Sequence, residues 1–530
     1  MALTFGAFRR SYTLRAPPLV GVLAAGVGAA MLLPLVYLVI RASEHGTVFE
    51  TLTRASTIET LIRTCLLAAA VTAAAILISL PAAWLTTRTD LPFRGVWSVL
   101  FSLPLVFPSY VGAFVLVAAL GPRGIVQNWL EPLGVDRLPE IYGFWGAWLA
   151  ITLFTFPYVL IPLRAAMKGL DQSMDDAARS LGASSFGTFF RVTLPQLRPA
   201  LAAGGLLVAL YTLSDFGAVS ILRFDSLTRV IFIQYKSAFD RSEAASLALL
   251  LAAVALAAVW IESMTRGKAR YHSEAVRRTP KIVRLGGWRW PALVFCVSLV
   301  MISLVLPASV LVYWLVRGLD AGQSVSFIGS AAVNSVQVSS LAAAAAILFA
   351  LPVAVFSVRY PGALSRLIER ASYTGFALPG ISIALALVFF GANYAPWIYQ
   401  TLPLLVFAYV VRFMPQALGA SRASLLQTNP KTEEAARGLG KGKLAVLRRI
   451  TLPQLQPGLS TGALLVFLTA IKELPATLLL SPIGFSTLAT EIWASTNEAM
   501  FARAAAAAIL LVLIAAIPTT IVVLREQRAR

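Results

Sequence analysis

Glu434-Ala435-Ala436-Arg437-Gly438-Leu439-Gly440, with Thr451-Leu452-Pro453-Gln454-Leu455 behind it, decides how this chain is built. The same pattern stands 258 residues earlier, as Asp176-Ala177-Ala178-Arg179-Ser180-Leu181-Gly182 and Thr193-Leu194-Pro195-Gln196-Leu197. Pro199 and Pro457, Pro157 and Pro415, and Arg164 and Arg422 keep that offset. Nearer the start of each half the offset is 271: Pro81 with Pro352, Arg88 with Arg359, Pro108 with Pro379. The 13-residue difference places an insertion in the first half, near 121–141. The chain is a tandem duplication, and each copied loop lies between long apolar runs.

Those runs set the environment. Of 530 residues, 58% are hydrophobic and 13% charged, with a mean hydropathy of +0.78. A soluble domain carries about 25% charge, so this chain cannot cover a water-facing surface. It reads as an all-α polytopic membrane protein. Spanning helices need roughly 20 apolar residues. Twelve segments qualify: about 17–41, 61–87, 96–120, 142–168, 199–222, 244–265, 291–317, 331–358, 371–394, 402–424, 457–480 and 500–524. The first is too long for a signal peptide and lacks a small-residue cleavage site. Pro34, Pro81 and Pro352 fall inside spans, where neighbouring helices can satisfy freed backbone groups. Trp129, Trp145, Trp148, Trp397 and Trp493 are expected near the outer ends as an interfacial belt.

A net charge of +20 and a pI near 10.4 would suggest nucleic-acid binding in a soluble protein. Here the charge is an orientation signal. With the N-terminus placed in the cytoplasm, the inside segments hold 31 Lys/Arg and 10 Asp/Glu, against 7 and 12 outside. That asymmetry predicts both termini cytoplasmic. Six spans per half then make the repeat parallel, about an axis along the membrane normal. The expected organisation is a first repeat over 1–265, a basic cytoplasmic linker over 266–290 and a second repeat over 291–530. Cys65 and Cys296 are expected as small core residues. His45 and His272 lie far apart, and no metal-ligand spacing exists.

The repeated loops, about 171–195 and 429–453, should each form a short helix, a glycine break and a second helix. Asp171 and Asn429 are the expected N-caps. Asp175, Asp176, Glu433 and Glu434 favour the first turn. The alanine pairs, Ala177 with Ala178 and Ala435 with Ala436, offer a small surface for close approach by another protein. Gly182 and Gly440 permit the sharp turn, and the Leu-Pro step is expected to stop the element. A cytoplasmic loop is where packing constrains sequence least, so its duplication points to docking.

The pattern Glu-Ala-Ala, three residues, Gly, nine residues, Ile, any residue, Leu-Pro resembles the signature loop of binding-protein-dependent ABC importer permeases. Glu434, Ala435, Ala436, Gly440, Ile450, Leu452 and Pro453 fit fully; the first copy substitutes Asp176 and Val192. The resemblance covers about 60–523. It implies that Asp176, Ala177, Ala178, Gly182, Glu434, Ala435, Ala436 and Gly440 couple the chain to an ATPase. It further implies two copies of that ATPase subunit, one periplasmic solute-binding protein, and a bacterial inner-membrane location among lipid. No nucleic acid is implied. The chain has no phosphate-binding loop of its own, so ATP and Mg belong to the partners, and the chain is not itself an enzyme. A twelve-span secondary transporter is the rival class, but it would need no duplicated docking loop.

The charges within the spans bear on cargo. Asp215 and Glu473 are equivalent at the 258 offset, each about 16 residues beyond Pro199 or Pro457, roughly 24 Å along a helix. Arg412 enters from the outer side and can approach Glu473; Lys472 adjoins it. Two readings stand side by side: carboxylates on the translocation path, or charges paired structurally because an isolated one is costly there. Ser214-Asp215-Phe216-Gly217, the stretch from Leu222 through Thr228 to Asp240, and Lys472-Glu473-Leu474-Pro475-Ala476-Thr477-Leu478 resemble the ferric-iron permeases, whose fused length also fits. Ferric iron is the cargo this implies. Related permeases carry thiamine, polyamines, phosphonates or sulfate.

Overall fold

A computed structural model of the chain describes residues 17–43, 48–122, 124–135, 138–170, 172–236, 241–265, 282–323 and 328–528. His45, Asp171, Asp240 and His272 fall outside these, as do residues 266–281 of the linker. The described chain is helical throughout, apart from a lone bridge between Thr89 and Val283.

The first half runs through α1 (Pro18–Ser43), α2 (Ala55–Arg88), α3 (Arg94–Leu100), α4 (Ser109–Leu120), α5 (Phe144–Gly169), the loop helix α6 (Gln172–Ser180), α7 (Leu194–Ser214), α8 (Gly217–Ile221), α9 (Leu227–Lys236) and α10 (Arg241–Thr265). The second half repeats the plan. It has α11 (Leu306–Asp320, entered from Arg289–Val300 through a π-turn), α12 (Ile328–Arg359), α13 (Ala363–Ala377), α14 (Gly380–Tyr394), α15 (Leu402–Gln427), the loop helix α16 (Pro430–Gly438), α17 (Leu452–Ala470), α18 (Pro475–Leu480), α19 (Leu488–Asn497) and α20 (Phe501–Arg528).

Ten described helices are long and apolar enough to cross a membrane, or eleven if the bent pair α13–α14 is one span. The difference from twelve lies at 457–480. Gln454, Gln456 and Ser460 make the cytoplasmic half of α17 polar, and the helix closes at Ala470. Two spans in each half are broken rather than continuous. The third breaks at Pro108 and at Pro379. A proline forces the residue before it out of the helical region, and Phe107 and Leu378 are extended accordingly, with ψ 124° and 127°. The bend between α13 and α14 is 106°. The fifth breaks between α7 and α8 at Asp215, and between α17 and α18 around Glu473.

In each half the second, fourth and fifth spans form the core: α2 with α5 and α7, and α12 with α15 and α17. The halves also interlock. α1 packs against α12, α13 and α14. Tyr37 on α1 donates to the Phe389 carbonyl at 3.3 Å and accepts from Asn393 at 3.2 Å. α11 packs against α20 and reaches α4, where the Phe501 ring meets Trp314 and Phe114 at 5.1 and 5.8 Å. The described end of the linker is stitched to the foot of α2: Val283 N donates to the Arg88 carbonyl (2.8 Å) and Leu285 N to Asp90 Oδ1 (2.8 Å).

Two sequence expectations need correction. Cys296 is buried, but Cys65 lies on the outward surface of α2, where an apolar sequence meets lipid rather than a core. Trp145 and Trp397 are exposed, as a belt requires, whereas Trp493 packs inward on Phe216 (5.0 Å between rings).

Close crossing of α13 and α15 depends on Gly375, because a Cβ there would lie 1.9 Å from the Val411 carbonyl oxygen. Gly375→Leu should destabilise the fold by about 1–3 kcal/mol or more, read as a lower melting temperature in detergent. Gly95→Leu, with open space at its Cβ, should melt like the parent. Equal melting of all three proteins would refute the close crossing.

Candidate functional site

The two repeated loops take the expected form. α6 ends at a turn through Gly182 (φ +87°), α16 at one through Gly440 (φ +78°), and a short second helix follows each. Asn429 caps α16 by accepting from Lys431 N at 3.0 Å. The Leu-Pro step does not stop the element. π-turns at Phe189–Thr193 and Leu447–Thr451 carry the second helix directly into α7 and α17, with Pro195 and Pro453 in the first turn. Proline is accommodated where the ladder shifts register: Leu194 N bonds the Phe189 carbonyl and Leu452 N the Leu447 carbonyl, each five residues back.

The helices sort the motif residues. Asp176, Ala177 and Gly182 are exposed, as are Glu434, Ala435 and Gly440. Ala178 is half-buried, and Ala436, 8% exposed, turns toward the loop's own small core with Val446. One alanine of each pair thus faces out and one faces in. Leu181 and Leu439 stand 89% and 82% exposed beside the glycines. Their projection was missed because a leucine in an apolar chain draws no notice; its signal was a leucine flanked by polar residues and glycine in both copies.

A second feature was also missed. Asp175 accepts from the Thr193 hydroxyl at 3.1 Å, and Glu433 from the Thr451 hydroxyl at 3.0 Å. Arg359, ending α12, pairs with Glu433 at 2.9 Å and donates to Thr428 Oγ1 at 3.3 Å. Its counterpart Arg88 donates to the Met167 carbonyl at 2.9 Å. Arg88 with Arg359 and Thr193 with Thr451 are equivalent in the two halves, and Asp175 and Glu433 were read as first-turn acids, but sequence carries no distances.

Within the membrane, the two breaks of each half meet. In the first half, Ser109 opens α4 just after Pro108, and its hydroxyl donates to Asp215. Asp215 caps α8 by accepting from Ala218 N (2.9 Å) and Val219 N (3.4 Å). Tyr211 donates to Ser109 Oγ at 3.1 Å, and Thr228 to the Asp215 carbonyl at 2.6 Å. In the second half, Gly380 replaces the serine. A Cβ there would fall 1.4 Å from Arg412 Nη1. That space lets Arg412 reach Glu473 at 3.0 Å, while Glu473 also accepts from Ala476 N at 3.3 Å. Tyr409 and Thr477 share a 2.5 Å hydrogen bond, and Thr477 donates to the Glu473 carbonyl.

Of the two cations weighed for Glu473, Arg412 is its partner. Lys472 turns away and donates to the Leu105 carbonyl of the first half at 2.9 Å. The two centres adjoin: a Cβ on Gly217 would lie 2.6 Å from Tyr110 Cβ and 3.1 Å from Leu474 Cδ2. Asp215 and Glu473 are both buried. The arrangement caps two broken helices, ties the halves together, and gathers hydroxyl and carboxylate oxygens at the seam.

Comparison with known proteins agrees with this architecture. The family model for the "Binding-protein-dependent transport system inner membrane component" matches residues 75–322 and 344–530. The Fe(3+)-transport system permease protein FbpB 2 of Haemophilus influenzae is 35% identical over 485 residues, covering 90% of this chain and 92% of that protein. The molybdenum transport system permease protein ModB of Escherichia coli is 30% identical over 224 residues, 38% of this chain and 94% of its own. Among solved structures, a bacterial ABC transporter that imports alginate aligns with 19% identity and a TM-score of 0.37, covering 44% of this chain and 90% of that one. Matched twice along its length by one family model, and aligned almost end to end with a full-length relative, this chain belongs to the binding-protein-dependent transport system inner membrane components, with two permease repeats on one polypeptide.

Proposed function

We propose that this chain is the permease subunit of an ATP-driven importer of ferric iron. The observation that carries the reading is the paired loop: one exposed Asp/Glu-Ala face and one left-handed glycine in each half, at equivalent places. The full-length likeness to a Fe(3+)-transport permease supports iron as cargo over thiamine, polyamines or phosphonates. The chain is a multi-pass protein of the bacterial inner membrane. Two loop faces call for two ATPase subunits, which bind ATP and Mg and carry out hydrolysis. One periplasmic solute-binding protein delivers cargo from outside. The basic inside segments orient both termini to the cytoplasm.

The path runs along the seam between the repeats, past Asp215 and Glu473. Arg412 holds Glu473 in place, and Lys472 bridges the repeats. Oxygen donors suit a hard cation, and Ser109, Tyr211, Asp215, Tyr409 and Thr477 supply them at the seam.

Four measurements test this reading. Gly440→Trp places bulk where a Cβ meets nothing in the chain, at a φ that strains any L residue by roughly 1–2 kcal/mol. It should abolish uptake while the protein still reaches the membrane; wild-type uptake would remove the docking role. Asp215→Asn keeps a cap but loses the charge. Uptake at limiting substrate should drop about tenfold, near 1.4 kcal/mol, at unchanged protein level, and normal uptake would reassign Asp215 to helix capping. A cytoplasm-active reporter fused after Arg530 should be active. Uptake that persists without the ATPase yet collapses with the proton gradient would favour a secondary transporter.

A further inference from the structure

The repeated loop carries an acidic pair, Asp175-Asp176 and Glu433-Glu434, and its two members face opposite ways. Asp176 and Glu434 are exposed, on the side a partner would meet. Asp175 and Glu433 are half-buried and turn back onto the chain. We propose that Asp175 and Glu433 are positioning residues of the transport cycle, each clamping its loop helix to the foot of the following span through a threonine hydroxyl. The inference rests on the permease reading above.

The clamp occurs twice with the same span: the acid accepts from a threonine 18 residues downstream, at 3.1 Å in one half and 3.0 Å in the other. It persists although the acid changes from Asp to Glu. Retention is not automatic in this duplication. The intramembrane partners diverge, Ser109 serving Asp215 and Arg412 serving Glu473. The clamp also sits where it can transmit force. Its acid lies in the first turn of α6 or α16, where exposed amides favour negative charge. Its threonine is the last residue of the π-turn that opens into α7 or α17. π-turns are local insertions with weakened hydrogen bonding, and they cluster at functional places.

Along the chain, loop helix and span are joined by the glycine turn, a four-residue helix and the π-turn, and the clamp adds a direct side-chain tie between them. With it, a push on the exposed loop face moves the span. The arginines ending the second spans extend the same joint. Arg359 binds Glu433 and Thr428, so α12, the end of α15 and α16 meet at one guanidinium. Arg88 binds the last turn of α5 and lies within electrostatic reach of Asp175.

The test uses the full chain reconstituted in vesicles with its ATPase and iron-loaded binding protein, measuring iron uptake and ATP hydrolysis together. Thr451→Val removes the hydroxyl at nearly constant shape and should lower iron moved per ATP about tenfold, the lower end of the scale for one lost hydrogen bond to a charged group. Glu433→Ala should do the same. The double variant should be no worse than the poorer single, because contacting residues are non-additive. Thr451→Ser should stay within about twofold of wild type. The proposal is overturned if Thr451→Val keeps the wild-type ratio, if the two effects add, or if uptake and hydrolysis fall together at constant ratio. Absence of ATP-dependent uptake in wild-type vesicles would instead remove the permease reading, and the clamp's role with it.

Discussion

Backbone amides and carbonyls freed inside hydrocarbon have no water to bind, and each one left open costs several kcal/mol. The structure has four such openings, at Pro108, Pro379, Asp215 and around Glu473, and it closes them against one another. Asp215 accepts the first amides of α8, and Glu473 accepts one at the start of α18. Thr228 and Thr477 donate to the carbonyls of the two acids. The third span of each half bends so that its break lies beside the break of the fifth. The capped segments also touch across the seam between the halves, where Gly217 packs close to Leu474.

The two halves solve the same problem with different chemistry. At the 271 offset Ser109 faces Gly380, and at the 258 offset Phe154 faces Arg412. The first half uses a hydroxyl to hold its acid. The second removes a side chain to admit a guanidinium, which then pairs with its acid. A buried ion pair gains little net stability over well-packed apolar groups, but removing one partner leaves an unpaired charge and costs about 3–5 kcal/mol. The second half is therefore bound to its arginine as the first is not bound to its serine. Tyr158 and Tyr211, whose rings lie 5.8 Å apart, are likewise answered by Gln416 and Thr469, joined at 3.2 Å. A fused chain can diverge in this way because each half always meets the same partner.

Much of this architecture was legible in residues. The duplication, the loop helices and the glycine turns followed from periodicity and offset, and the cost of a lone charge narrowed the partner of Glu473 to Arg412 or Lys472, which the structure decides for Arg412. The breaks did not. Pro108 and Pro379 looked like the tolerated prolines Pro34, Pro81 and Pro352, which do sit inside unbroken helices. What distinguishes them is the partner waiting at the break, and that is tertiary information. The partner of Asp215 was hidden for the same reason: serine in an apolar run signals nothing until Asp215 lies beside it. The π-turns were invisible because proline in a first turn and proline after a helix end read alike.

Force reaching an exposed loop must still cross the membrane to matter. α7 runs unbroken from beside Thr193 to Asp215, 21 residues or about 31 Å. α17 runs from beside Thr451 to within three residues of Glu473. Each is a strut with a threonine clamp at its foot and a capped break at its head. Each strut holds one internal proline near its foot, Pro199 in α7 and Pro457 in α17. Its head is the weak point, where hydrogen bonds from two or three side chains replace a helical ladder.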